Sequence, residues 1–511
     1  MCGIAAIINN KGSEPLVQSM LQNTAHRGDC KPVYESFNSD THLGSVRLKI
    51  VGRSSGKMPL YNESKTLVTV FNGEIYNYKQ IKLDLIDKGH KFSTDSDTEV
   101  LVHLFEEYGI NMLPKLDGMF AFVIYSPKTK QYVAARDRWG IKPLFYSQNN
   151  NSIFIASEIK AFNEIPEIKN IEELRPGHYI ESGRVNPYFT PSFEISSIPY
   201  NKAKIKIRSL LEQAVQKRVD TDLPIAVFLS GGVDSSIVHS LACKYHSNVT
   251  AIVIGKDDSS DVISAKRLCE LNGSKVLHIN ISQEEFLHNI PEIIKTIETY
   301  EPNPVRGSSL SYYLASFAKE RGFKIALCGE GSDEIFAGYG DFLGVKEKEH
   351  QKLTRDFVSH LYRTQLLRID KTGMAFGIEV REPFMDNELV QLAITLPLEY
   401  KIQTYTNRYL TKYILRDAFK DILPDFIFSR DKKTLMEGAG ANSVQKGEGI
   451  FHKYACKNLN VSEFKKIQRA HPEYHLLTVE DAFYFKIYKE IYGLRVSNAR
   501  ERTFNALKEI T

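Results

Sequence analysis

Two short segments of this 511-residue chain place acids, serines and glycines at spacings that suit phosphate chemistry. The first reads Leu229-Ser230-Gly231-Gly232-Val233-Asp234-Ser235-Ser236 and follows an apolar run at 225–229. Its two glycines permit a tight turn that aims backbone N–H groups inward, and serine hydroxyls at a helix N-terminus complete an anion cradle. No lysine follows the second glycine, so the loop is not a Walker A motif. Asp234 stands where a magnesium ligand is useful. The plainer alternative is a serine-capped strand-to-helix turn. The second segment, 328–339, sets Glu330, Asp333 and Glu334 within five residues, around Gly329 and Gly331. Like charges in a cleft raise the energy unless a metal or cation faces them. A helix dipole, worth about 0.3–1 kcal/mol per charge, accounts for one such carboxylate and not for three.

A third signal is the start of the chain, Met1-Cys2-Gly3-Ile4. A small residue after the initiator permits methionine removal, and the freed α-amine, with a pKa near 8, can accept the thiol proton of the same residue. Taken alone, Cys2 reads first as a small hydrophobe opening a strand, and a substrate pocket around it is what would make it a nucleophile. Asn72 and Gly73, in Phe71-Asn72-Gly73-Glu74-Ile75-Tyr76-Asn77, offer a side-chain amide beside a backbone N–H, a sound oxyanion hole. An Asn-Gly hairpin turn satisfies the same residues.

These residues need elements to position them. The first 190 or so residues read as many short strands, with candidates at 4–8, 67–71, 120–125, 132–135 and 153–156, broken by helices at 79–88 and 98–108. That pattern fits an α+β domain over 1–190. A stretch rich in proline and serine, 187–201, has the turn residues of a linker. Beyond it strands and helices alternate: a strand at 225–229, helix 236–245, strand 249–254, helix 262–271, strand 276–279, helix to 300, helix 309–320 and strand 324–328. Such alternation predicts a parallel-sheet α/β domain over 201–511, with ligands at the carboxyl ends of its strands. Residues 445–511 read as helix and receive no function.

Composition narrows the class. The chain is 42% hydrophobic and 25% charged, with net charge +4, which excludes disordered and fibrous readings and gives no ground for a nucleic-acid partner. Six scattered cysteines, without a C-x-x-C pair, argue against a disulfide framework or a zinc site. No apolar run approaches the ~20 residues of a membrane helix, and the N-terminus lacks the basic region of a signal peptide. The expectation is a cytoplasmic protein without a membrane partner.

The joint order of the motifs resembles the glutamine-dependent asparagine synthetase family of the B type over roughly residues 1–440. The motifs are Met1–Ile4, His26-Arg27-Gly28, Arg47-Leu48-x-Ile50-Val51, Asn72–Asn77, Ser96-Asp97-x-Glu99, Arg136-Asp137-Arg138-x-Gly140, Ser230–Ser236, Gly329–Glu334 and Gly377–Asp386. The resemblance implies an N-terminal-nucleophile glutaminase sandwich followed by an ATP-pyrophosphatase domain. In that picture Cys2 attacks glutamine, Asn72 and Gly73 hold the oxyanion, and Arg47 grips the α-carboxylate. Leu48, Ile50, Val51, Glu74 and Asp97 complete the glutamine site. The resemblance further assigns ATP to Leu229, Ser230, Gly231, Gly232, Asp234, Ser235, Ile254, Cys328 and Gly329, and Mg2+ to Asp234 and Asp333. Aspartate is adenylated, ammonia arrives through an internal channel, and Glu330 serves as general base. Lys432, or its neighbour Lys433, would offset developing charge. The implied partners are glutamine, ATP and aspartate, and a homodimer is allowed.

Asn303-Pro304 replaces a pair of threonines usual in the family, and proline there is expected to alter polar contacts to the acceptor, with Arg306 left to meet a carboxylate. An amidotransferase acting on another carboxylate, in a cell-envelope, antibiotic or peptide pathway, is the alternative.

Overall fold

The computed structural model describes residues 1–149, 151–405, 408–431 and 449–497. They group into two compact units. The first holds Met1–Thr190, with short returns at Met374–Gly377 and 488–497, and the second holds the other described residues.

The first unit stacks two six-stranded sheets. In one, Cys2–Ile8 lies centrally between Ser152–Ala156 and Thr41–Arg47, antiparallel to both, with Cys2 opposite Arg47. In the other, Val68–Ile75 pairs with Gly118–Tyr125 along its whole length. The two-residue period of a strand decides which face each side chain takes. Ile4, Ala6 and Ile8 meet Val68 and Val70 in one buried cluster between the sheets. Phe71 and Ile75 point the other way, onto Ile81, Leu85, Val100, Leu101 and Leu104 of the helices Tyr78–Asp87 and Glu99–Tyr108. Asn72 shares the inward parity of Val68 and Val70, which aims it at the neighbouring sheet. This is the expected α+β sandwich.

The second unit carries a five-stranded, wholly parallel sheet in the order Lys275–Ile279, Val249–Ile254, Ile225–Phe228, Ile325–Leu327, Glu379–Arg381. Chain order reverses direction at Ile225–Phe228, so the loops leaving this strand and Ile325–Leu327 face each other across a topological switch point, the place where open α/β sheets bind ligands. Both acid-bearing segments are those loops.

Three expectations are corrected. The helix after the glycine loop starts at Val233 rather than 236, capped at Gly232, so Asp234 lies in its first turn. The helix expected at 309–320 spans Pro302–Glu320. Proline is well suited to a first helical position because the N–H it lacks is unpaired there anyway, so Asn303, Pro304 and Arg306 occupy the opening turns of a helix. Pro304 therefore removes no hydrogen bond that the helix would otherwise make. The linker begins after Pro187, which closes the strand Arg184–Pro187.

Candidate active site

In the first unit the nucleophile candidate is fixed from three directions. The Cys2 backbone N–H donates to Asn72 Oδ1 at 3.0 Å. The Cys2 carbonyl accepts from Arg27 Nε at 3.0 Å, and Arg27 Nη1 in turn pairs with the buried Glu158 at 2.6 Å. Leu48 N–H donates to the Met1 carbonyl at 3.0 Å. Burial pushes the Cys2 thiol up, outweighing the positive N-terminus and Arg47, so the resting group is a neutral thiol that needs a proton acceptor. Asn72 Nδ2 is buried and has no hydrogen-bond partner among the described residues. An unspent donor next to a thiol suits an oxyanion, because a buried N–H left alone costs about 1–3 kcal/mol and regains it when an anion arrives. Gly73 is required by close approach: a Cβ there would stand 2.0 Å from the Met119 carbonyl.

The expected glutamine contacts converge beside Cys2. Arg47 Nη2 donates to the carbonyls of Val51 at 2.8 Å and Gly52 at 2.7 Å, which anchors the guanidinium. A side chain at Gly56 would strike both Arg47 Nη2 and Ser96 Oγ, so the glycine is what lets the Arg47 head meet the segment bearing Asp97. Asp97 Oδ2 accepts from Ile75 N–H at 3.1 Å. Leu48, Ile50 and Glu74 are buried alongside.

In the second unit a cavity of about 360 Å³ opens at the switch point. Its walls include Leu229, Ser230, Asp234, Ser235, Ile254 and Cys328. Gly329, Glu330, Asp333 and Arg306 also line it. A smaller adjoining pocket takes in Gly232 and Lys412. The glycine loop is drawn tight by Ser235 Oγ, which accepts from Ser230 N–H at 3.2 Å and contacts Ser230 Oγ at 3.0 Å. Gly231 has φ +67°, and a Cβ there would lie 2.7 Å from the Asp261 carbonyl. Asp234 Oδ1 accepts from Ser332 Oγ at 2.7 Å, tying the two loops together. Lys412 Nζ bridges Asp234 Oδ2 at 2.5 Å and Asp333 Oδ1 at 2.6 Å. Two carboxylates sharing one ammonium form a place that favours positive charge, so the pair fits a magnesium ion. Glu330 Oε1 pairs with Arg368 Nη2 at 2.6 Å. Cys328 is buried, and burial pushes its thiol well above the ordinary range, leaving it an inert wall.

Arg306 is not a free fork. Its Nε and Nη2 reach Glu480 Oε1 and Oε2 at 2.8 and 2.7 Å, a bidentate pair supplied by the helix Val479–Tyr492. Lys432 and Lys433 lie outside the described residues.

Comparison with known proteins finds two domains in the chain. The glutamine amidotransferase domain model matches residues 1–174, and the asparagine synthase model matches 206–356 and 343–451. Glutamine-hydrolysing asparagine synthetase 3 of Arabidopsis thaliana is 33% identical over 98% of this chain and 89% of its own length. Asparagine synthetase 1 of the same plant is 32% identical over 95% of this chain and 86% of that protein. The asparagine synthetase of Sandersonia aurantiaca is 32% identical over 95% of each. The chain belongs to the asparagine synthetase family.

Within this asparagine synthetase fold, sequence reasoning missed several site residues. Lys412 sits in an unremarkable Leu410-Thr411-Lys412-Tyr413 stretch and gave no signal. Arg430 hydrogen-bonds the Gly231 carbonyl at 2.7 Å and pairs with Asp261, and the basic run at 430–433 was the clue to it. Arg368 and Glu480 are separated by 38 and 174 residues from the groups they hold, so spacing could not reveal them. No helix among the described residues is long and apolar enough to cross a membrane.

Proposed function

We propose that this chain catalyses ATP-driven amidation of aspartate to asparagine, with glutamine as nitrogen donor. The observation that carries the reading is the coexistence of two built sites in one chain: a cysteine beside an unspent amide donor, and a serine-glycine loop facing a pair of carboxylates around a cation. The relatives named above are asparagine synthetases along nearly the whole chain, which favours aspartate over another carboxylate as acceptor.

With Met1 removed, the Cys2 nitrogen that now donates to Asn72 Oδ1 becomes an α-amine placed to take the thiol proton. Cys2 Sγ attacks the glutamine side-chain carbonyl. Asn72 Nδ2 and the Gly73 N–H receive the oxyanion, the α-ammonium passes its proton to the leaving nitrogen, ammonia departs from a glutamyl thioester, and water then hydrolyses the thioester to glutamate. Arg47 and Asp97 hold the two charged ends of the glutamine backbone.

In the second unit, the glycine loop and the N-terminus of the Val233–Tyr245 helix receive the phosphates. Asp234 and Asp333 would hold Mg2+, which neutralises charge gathering on the departing pyrophosphate. The Lys412 ammonium now sits between the same two carboxylates and would give way to the ion. Glu330, fixed by Arg368, is placed to take a proton from ammonia as it attacks the aspartyl-adenylate, and AMP leaves.

The test uses purified protein with ATP, magnesium and glutamine, with and without aspartate, reading AMP, glutamate and asparagine together. AMP that depends on aspartate and matches asparagine supports the reading. Glutamate release without aspartate-dependent AMP overturns the acceptor and keeps the glutaminase.

A further inference from the structure

A second cluster of ionisable side chains lies in the first unit. Glu63 follows the strand Leu60–Tyr61, and His90 follows the helix Tyr78–Asp87. His103 and Glu106 stand three residues apart, on one face of the helix Glu99–Tyr108. One ligand atom from each of these four residues lies within 4.8 Å of all the others.

We propose that Glu63, His90, His103 and Glu106 form a binding site for a divalent transition-metal ion of the zinc class. Glu63 Oε1 is 3.1 Å from His90 Nδ1, Glu63 Oε2 is 3.0 Å from His103 Nδ1, and the two Nδ1 atoms are 3.2 Å apart. Bond lengths of 2.0–2.1 Å to a tetrahedral ion place its ligands about 3.3 Å from one another, close to the 3.2 Å between the two Nδ1 atoms, and each of these nitrogens has a different Glu63 oxygen within 3.1 Å. Glu106 supplies the fourth corner and is oriented by Asn62 Nδ2, 2.8 Å from its Oε2.

The outer contacts point the same way. His90 Nε2 faces Glu107 Oε1 at 3.2 Å, and His103 Nε2 faces Glu99 Oε1 at 3.7 Å. A carboxylate hydrogen-bonded behind His90 is the arrangement that fixes a metal-binding histidine with its other nitrogen turned toward the ion, whereas His103 Nε2 makes no hydrogen bond among the described residues. Four carboxylates thus surround two imidazoles. The side-chain cation beside them is Lys88, whose Nζ meets the far oxygen of Glu107 at 3.2 Å, while the Lys91 contact to Glu63 is a backbone N–H at 3.4 Å. His103 is fully buried, and Phe92 packs on its ring at 4.4 Å between centroids, which holds the nitrogen in place. Two imidazoles with carboxylate oxygens favour zinc and its neighbours over magnesium or calcium. An ion here would clasp the Glu63 turn and the His90 loop to one helix.

The experiment dialyses the full chain against chelator, reloads it with Zn2+ alone, and measures bound zinc per chain without nucleotide. Co2+ is used as the optical reporter. The expected result is one zinc per chain with tetrahedral cobalt absorption. Both should be lost in Glu63→Gln/His90→Gln, and zinc affinity should fall about 10- to 100-fold in Glu107→Gln, whose side chain touches no metal. Glu106→Gln and Glu107→Gln alter partly exposed groups and keep the test valid where His90→Gln fails to fold. Zinc binding below half an equivalent, or binding unchanged in Glu106→Gln and Glu107→Gln, overturns the site and leaves a hydrogen-bonded staple.

Discussion

Lys412 Nζ lies 2.5 Å from Asp234 Oδ2, across 178 residues of sequence. The same ammonium reaches Asp333, so one lysine answers both carboxylates proposed for magnesium. Lys412 itself adopts a left-handed backbone, φ 56° and ψ 34°, at the N-cap of the helix Tyr413–Ala418, which sends its side chain back toward the sheet. A cation tethered between two acids competes with a free one. Lys412→Met should therefore tighten Mn2+ binding in the absence of nucleotide, by about tenfold or more, given the several kcal/mol between unit charges at ~4 Å in an effective dielectric near 20. Electron paramagnetic resonance of bound Mn2+ reads this directly. Unchanged or weaker binding would separate Asp234 and Asp333 from the metal.

The glutaminase assignment predicts a clean division of activities. Cys2→Ala should abolish glutamine use and leave ammonia-dependent amidation intact. Asn72→Ala, which removes the unspent buried donor, should lower glutaminase turnover by about 100- to 1000-fold with the same sparing of ammonia. Glutamate release and asparagine formation, measured with each nitrogen source, check both variants. Full glutamine-dependent turnover by Cys2→Ala would remove the nucleophile from the scheme.

What the sequence could show followed from range. Cys2, Asn72, Asp234 and Asp333 stand inside compact motifs whose chemistry is local, and the change from short strands to alternating strands and helices was visible because each element is set by its own periodicity. Lys412, Arg368 and Glu480 act through partners far along the chain, and nothing in their neighbours announces the pairing. The strand Glu379–Arg381 escaped because it is three residues long and two of them are charged. Both are nonetheless buried, with Arg381 Nε on Glu379 at 2.7 Å and Arg381 Nη1 on the Arg218 carbonyl at 2.6 Å. The helix at Pro302 was missed for the opposite reason. Two prolines and a glycine in six residues are types that usually interrupt a helix, although proline is tolerated in a first turn.

The Arg306–Glu480 pair makes a prediction about stability. Glu480 is 1% exposed, so its carboxylate depends on the fork that holds it. Arg306→Met leaves a buried charge without its partner and should destabilise the protein by about 3–5 kcal/mol, whereas Arg306→Met/Glu480→Met removes both charges and should recover most of that loss. Urea unfolding of the two variants beside the parent measures the difference. Equal losses in the single and double variants would mean that the pair contributes packing alone.

Lys401 carries the pH prediction. Its side chain is fully buried, with Nζ 3.4 Å from His350 Nε2. Burial pushes the lysine down to about 7, against a smaller upward pull from Glu347. Between pH 7 and the ordinary value near 10.5, the unfolded chain therefore holds a proton that the folded chain has released, and stability contributed by this group rises with pH across that window. Below pH 7 folding must bury a charged ammonium. Lys401→Met fits the same apolar space without that charge. The variant should be more stable than the parent at pH 7, and its advantage should shrink steadily toward pH 10, as the unfolded lysine nears its own titration and folding displaces a progressively less tightly held proton. Denaturant unfolding of both proteins at pH 7, 8.5 and 10 gives the difference. Other titrating groups, present in both chains, largely cancel in that difference. A gap that stays constant over the three values would show that Lys401 does not change charge on folding.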